Sequence, residues 1–223
     1  EDYALPRHLM PALAGKLHTA VPAVKQEMQR YLDASRLMLR AARGEDVKFK
    51  SVHEHQASLD SLNREIRNFT STVFQPGLLP QQADLVASLI EEEDFCASLG
   101  ETLYQIARRA ERHPFGVEAQ NKVDVIAELV ERAVAERLDH AAPHGNAAAA
   151  MQPIQAMRQS IVTSATLPAE DRGALLALLG SAERAFFLAE RIQNERASVS
   201  REIAAPAPAE HGLGGGLLAP QGA

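Results

Sequence analysis

The sequence predicts an all-α protein, a bundle of long helices in which chain neighbours pack antiparallel. Three observations predict it. Apolar residues recur at three- and four-residue steps along most of the chain. No alternating run flanked by turn residues marks a strand. The prolines and glycines that break the pattern gather at a few points. Of 223 residues 46% are hydrophobic but only 4% aromatic, with no Trp, so the core must come from Leu, Ile, Val, Met and Ala.

Residues 1–20 read as a leading segment, with a short apolar stretch from Leu5 to Ala20. Pro22 fits the first turn of the first helix, where its missing N–H costs nothing. Val24, Met28, Tyr31, Leu32, Met38 and Leu39 then recur at helical spacing until Gly44 ends the segment. A second helix is expected from about Val47 to Phe74, with the core-facing seam Leu59, Leu62, Ile66, Phe69, Val73. Gln75-Pro76-Gly77-Leu78-Leu79-Pro80 forces a turn. The third helix covers about Gln81 to Arg112. Its seam is Leu85, Leu89, Cys96, Leu99, Leu103, Ile106, Ala110, with Glu92 where an apolar residue is expected, and His113-Pro114-Phe115-Gly116 closes it. At about 1.5 Å per residue the second and third helices would be roughly 40–50 Å long. Long helices on short loops pack as antiparallel neighbours.

The second half reads as a shorter copy of the first. Val117 to Asp139 forms one helix, seamed by Val123, Ile126, Val130 and Ala133. Ala141 to Ala150, with Pro143, Gly145 and four consecutive alanines, reads as a loosened connection. Gln152 to Ala165 forms the next helix, with Ile154, Met157 and Ile161, and Leu167-Pro168 breaks it. Ala169-Glu170-Asp171 is an acidic first turn suited to the positive end of a helix dipole. The last helix runs to about Ile203 along Leu175, Leu179, Ala182, Phe186, Ala189 and Ile192. The plan is thus a leading segment (1–20), a first helical repeat (21–116), a second, divergent one (117–203) and a tail (204–223). The tail is expected to be disordered, because its composition collapses to Ala, Pro and Gly.

Composition excludes several kinds of chemistry. Lys and Arg total 23 against 29 Asp and Glu, a formal charge of −6, which argues against nucleic acid as a partner. One cysteine, Cys96, allows no internal disulfide, and its place on a seam predicts a buried thiol. No apolar run approaches the roughly 18–20 residues of a membrane span. Glu1-Asp2 stands where a signal peptide would be basic, and the missing initiator Met fits a fragment of a longer protein. His53 and His55 are two residues apart, about 200° around a helix, whereas zinc-binding pairs sit at i and i+4; they read as a solvated face. His140 and His144 have that spacing but flank Pro143, with no third ligand in view. No G-x-S-x-G, Walker-type loop or G-x-G-x-x-G occurs, and the glycines at 212–216 belong to the tail. The expectation is a protein that is not an enzyme, with no catalytic residue, no cofactor and no metal.

The acidic run Glu91-Glu92-Glu93-Asp94 is the most informative local feature. Four carboxylates within about one turn repel one another. Two placements compete. In one the run is a solvated face, with three carboxylates in water. In the other Glu92, in line with Leu89 and Cys96, points into a bundle groove and needs an arginine, a water or a metal ion.

At this helix the sequence resembles a family. Gln82-Ala83-Asp84-Leu85-Val86-Ala87-Ser88-Leu89-Ile90, then Asp94 and Leu99-Gly100-Glu101, is similar to the signature helix of PhoU-like domains, written roughly Q-A-x-x-L-x-x-L-L…N-D-L-E-R-I-G-D. The preceding Leu59-Asp60-Ser61-Leu62-Asn63-Arg64-Glu65-Ile66-Arg67-Asn68-Phe69 resembles the family's V-D-x-L-x-x-x-I-x-x-Y. Leu178-Leu179-Gly180-Ser181-Ala182-Glu183-Arg184-Ala185 is a fainter echo. The opening, Leu9-Met10-Pro11-Ala12-Leu13, Lys25-Gln26-Glu27-Met28 and Leu37-Met38-Leu39-Arg40-Ala41-Ala42, looks like the start of the cytoplasmic domain of bacterial Na+/phosphate cotransporter-related proteins.

The resemblance implies a PhoU-like bundle of two repeats, each of about three helices. It implies a regulatory domain on the cytoplasmic side of the inner membrane, partnered by the membrane domain of the same transporter and by phosphate-signalling proteins. The alternative is a free-standing PhoU-type regulator of phosphate transport and signalling. Family metal clusters are held by E/D-x-x-x-D pairs; here these positions fall at Ala97 and Glu101 and at Glu183 and Phe187, each pair lacking one carboxylate. A divalent ion wants several oxygen ligands at once, so no cluster is expected, and Glu101 and Glu183 are assigned surface or structural roles. Ala-rich faces at 133–135 and 147–150 leave a homodimer open.

Overall fold

The computed structural model describes residues 2–49, 51–139 and 147–204, the side chains of Ala147 and of residues 199–204 excepted. After a single 3₁₀ turn at Pro11–Leu13 come six helices: α1 (Leu17–Ala42), α2 (Val52–Val73), α3 (Pro80–Arg112), α4 (Val117–Leu138), α5 (Ala147–Val162) and α6 (Ala169–Ala204). The described residues contain no strand. The His140 and His144 pair and the tail beyond Ala204 lie outside them.

Cross-links between side chains give the direction of each helix. His53 of α2 meets Tyr104 of α3 and Thr70 meets Glu93, so α2 and α3 run oppositely. Glu92 and Phe95 of α3 meet Arg196 and Arg191 near the end of α6, while His113 after α3 meets Asp171 near the start of α6. Arg36 of α1 reaches Asp139 just past α4, and Arg43 just past α1 reaches Glu131 of α4, so α1 and α4 are antiparallel too. The six helices alternate up and down in chain order, as short loops between long helices dictate.

Helices α1, α2 and α3 all touch one another, and so do α4, α5 and α6; the most extensive contact of all is between α3 and α6. The expected seams supply the core. Leu59, Leu62, Ile66, Leu89, Leu99, Leu103, Ile106, Ile126, Val130, Leu175, Leu179 and Ile192 are all buried in one continuous apolar cluster.

Several boundaries differ from those expected. Helix α1 begins at Leu17, so Pro22 lies inside it rather than in its first turn. The ring faces solvent there, between buried Val21 and Ala23, and the apolar face of the helix outweighs one lost backbone bond. Gly44, at φ +75°, takes the left-handed conformation just past the end of α1. Helix α2 starts at Val52, later than Val47, because the Ser51 side chain accepts the Glu54 N–H and caps it. Pro80 opens α3 instead of standing before it, and the Gln82 side chain accepts the Leu79 N–H. Helix α5 starts at Ala147 rather than Gln152, since consecutive alanines are the strongest helix formers.

One close approach fixes a residue type. Gly100 of α3 packs directly on the ring of Tyr31, and a Cβ there would overlap the phenol oxygen and ring carbons. The buried phenol is pushed above its ordinary pKa by desolvation and by the neighbouring Cys96.

Candidate functional site

The acidic turn of α3 is where polar chemistry enters the core. Helical geometry sends its four carboxylates in different directions, and the structure divides them two and two. Glu91 and Asp94 are exposed, whereas Glu92 and Glu93 are buried, at 1% and 2% of their possible exposure. The solvated-face expectation therefore holds for only half of the run. The inward Glu92 is realised, with an arginine as partner.

Glu92 Oε1 accepts a hydrogen bond from Arg196 Nε of α6 at 3.0 Å. Each of the other two guanidinium nitrogens makes a bond as well. Its Nη1 donates to the carbonyl of Leu138 at the end of α4, and its Nη2 donates to Gln29 Oε1 of α1, each at 3.0 Å. One side chain thus ties four helices together. Lys25 Nζ of α1 stands 3.7 Å from Glu92 Oε2, which has no hydrogen bond of its own. The two cations offset the cost of a buried carboxylate, which would be prohibitive without them.

Glu93 points to the other side, against α2. Its carboxyl hydrogen-bonds the Thr70 hydroxyl, which also lies 3.1 Å from the Ile66 carbonyl. The Ile66 carbonyl is already served by the helix ladder of α2, so the Thr70 proton is free to be donated to Glu93. Burial pushes this carboxyl up to about 7; Thr70 and Arg67 of α2 pull it down, and Asp94 and Glu92 add to the rise. Asp94 is paired with Arg67 at 2.7 Å. Glu91 shares a hydrogen bond with Glu195 of α6, whose carboxyl is raised by desolvation first and by Glu91 second.

Below Glu92 lies Cys96, fully enclosed as its seam position predicts. Burial, and then the Glu92 carboxylate, hold its thiol far above the ordinary range. The thiolate needed for nucleophilic or metal chemistry is correspondingly disfavoured.

The remaining sequence candidates are scattered. Glu101 is exposed and binds the side chains of Gln105 and Gln56; Glu183 pairs with Arg158 of α5. Ala97 is half-buried and Phe187 is exposed, so neither position brings a second ligand to its glutamate. His53 is exposed, but His55 is buried, contrary to the solvated face expected for both. Its Nε2 lies 2.8 Å from the carbonyl of Ala34, its ring stacks on Phe49, and desolvation lowers its pKa. Among the described residues no group of three His, Cys, Asp or Glu side chains converges in a way that could hold a metal ion.

Two further polar anchors carry no sequence signal. Glu27 is buried in α1 and accepts the backbone N–H groups of Arg7 and His8, at 3.0 and 2.7 Å, and a bond from Arg30. It staples the leading segment onto α1. Asp171, expected to serve the dipole of α6, instead accepts from the Gly116 N–H and lies 2.8 Å from His113 Nε2. The bond to His113 and that to Gly116 hold its carboxyl below the usual range. The backbone partners of Glu27, and both partners of Asp171, are far off in sequence, so residue type alone could not have revealed them.

Comparison of the chain with protein-family models, with curated proteins and with solved structures finds no match. No helix among the described residues is long and apolar enough to cross a membrane.

Proposed function

We propose that this chain is a PhoU-like regulatory and interaction domain of a Na+/phosphate cotransporter-family membrane protein, placed on the cytoplasmic side. One observation carries the reading. The two family-like stretches, 59–69 and 82–101, fall on adjacent antiparallel helices, α2 and α3, and the fainter echo at 178–185 falls on α6, the principal partner of α3. Gly100, which stands at the family's glycine position, is also where the Tyr31 ring approaches too closely for any side chain. In this reading two three-helix repeats meet through α3 and α6, and metal clusters play no part, because each E/D-x-x-x-D pair lacks a carboxylate. The domain would work by contact alone. It would present helix faces to the membrane domain or to a signalling partner, and a change at that contact would be transmitted by the packing of α3 on α6.

The test is made on the undivided gene product in its native host. Retention in carbonate-washed membranes, with sodium-dependent uptake of labelled phosphate whose regulation changes when α1–α6 are deleted, is the expected result. A soluble product that is captured with a phosphate transporter or a sensor kinase would replace this reading with the free-standing regulator. A product showing none of these properties would remove both.

A further inference from the structure

The far end of α3 concentrates positive charge in a chain whose net charge is −6. Arg112 lies four residues beyond Arg108 and three beyond Arg109, so it neighbours both on the helix surface, and all three line one cavity at the last two turns. His113 and Pro114 turn the chain at the end of those turns, and Ala174 of α6 forms the opposite wall. Between them lies an open cavity of about 350 Å³, within the usual size range for small-ligand sites.

These three arginines line one cavity, and among the described residues none of them has a counter-ion. Arg36, Arg43, Arg67, Arg158 and Arg196 are each paired with a carboxylate. Among the described residues no carboxylate lies within 4.0 Å of Arg108, Arg109 or Arg112. The nearby acid, Asp171, is buried and already engaged by His113 and the Gly116 N–H, so it does not answer their charge. Arg108 is positioned by the Tyr104 ring, its guanidinium carbon 5.9 Å from the ring centroid. The helix dipole favours cations in a last turn, but Arg108 lies before that turn, and the dipole does not call for a concave arrangement.

We infer that this cavity is an anion site for a phosphoryl group, held by the guanidinium groups of Arg108, Arg109 and Arg112. Planar guanidiniums match phosphate oxygens in pairs of hydrogen bonds, and three of them suit a dianion with three free oxygens. Pro114 and Ala174 offer an apolar wall to whatever the phosphoryl group is attached to. The inference does not depend on the transporter reading. The same chemistry is offered by a free phosphate or phosphomonoester and by the headgroup of an anionic phospholipid, and the experiment separates them.

The arginine Nε–H resonances of the whole chain are followed by NMR while inorganic phosphate or glycerol 3-phosphate is added. In parallel the chain is sedimented with vesicles of phosphatidylglycerol and of phosphatidylcholine. Saturable shifts of Arg108, Arg109 and Arg112 are expected, with at least about a tenfold loss of affinity in Arg109→Gln/Arg112→Gln. Both residues are exposed, so the fold is retained, as thermal unfolding will verify. Arg64→Gln, at an exposed arginine on α2, should leave binding unchanged. Saturable binding of the soluble anions identifies a free ligand; sedimentation with phosphatidylglycerol alone, lost in the double variant, identifies a headgroup. Absence of both, or equal loss in Arg64→Gln, overturns the site.

Discussion

Glu92 and Arg196 stand 104 residues apart in the chain and meet at 3.0 Å in the interior, carboxylate to guanidinium. With Leu138 accepting from Nη1 and Gln29 from Nη2, α6 is tied by one residue to α1, α3 and α4. Arg196→Met should therefore strand a buried carboxylate with only Lys25 nearby. A loss of about 3 kcal/mol is expected, read as a fall in the urea midpoint. Glu92→Leu/Arg196→Met should recover much of it, since removing both charges also removes their desolvation cost.

Glu93 makes stability depend on pH in the unusual direction. Its pKa rises from the ordinary 4.5 to about 7 in the folded protein, chiefly through burial. Between those values the folded chain binds more protons than the unfolded one, so this residue's contribution to stability falls as pH rises from about 4.5 through 7. The cost above pH 7 is roughly 3 kcal/mol. Glu93→Gln should raise the thermal midpoint at pH 8, leave it almost unchanged at pH 4.5, and flatten the profile between.

Gly100→Ala should destabilise even though alanine is the better helix former by about 1 kcal/mol. The new methyl collides with the Tyr31 ring, and such overpacking costs about 1–3 kcal/mol. Tyr31→Leu makes room. A double-mutant cycle in urea should give a double variant more stable than the sum of the two single changes.

Cys96 should be silent to a thiol reagent in the native protein and react stoichiometrically in denaturant. Its reaction rate then reports opening of the α1–α3–α6 core, where the thiol is enclosed. Fast labelling of native protein would show that the core admits solvent.

The helices were legible in the sequence because their signal is local. Leu59, Leu62 and Ile66, or Leu175 and Leu179, announce a buried face through spacing alone. The carboxylates were less so. Glu92 stood out by lying on an apolar seam, but Glu93 and Glu27 did not, because their burial is decided by Thr70 and by the backbone of Arg7 and His8. Nothing adjacent in the chain marks those partners. Pro22 and Ala147 misplaced helix starts for the reverse reason: local breaking signals were outweighed by packing in α1 and by alanine propensity in α5. The arginine cavity needed the fold as well, since Ala174 supplies its far wall from 62 positions beyond Arg112.

The Arg196 brace also sets an order on biosynthesis. Glu92 leaves the ribosome 104 residues ahead of its partner, an interval of roughly 5–20 s at about 5–20 residues per second. Until then the first three helices hold a carboxylate that α6 has yet to neutralise, beside the α3 surface that α6 will later cover. The brace at the centre of the bundle therefore closes only once α6 has been made through Arg196.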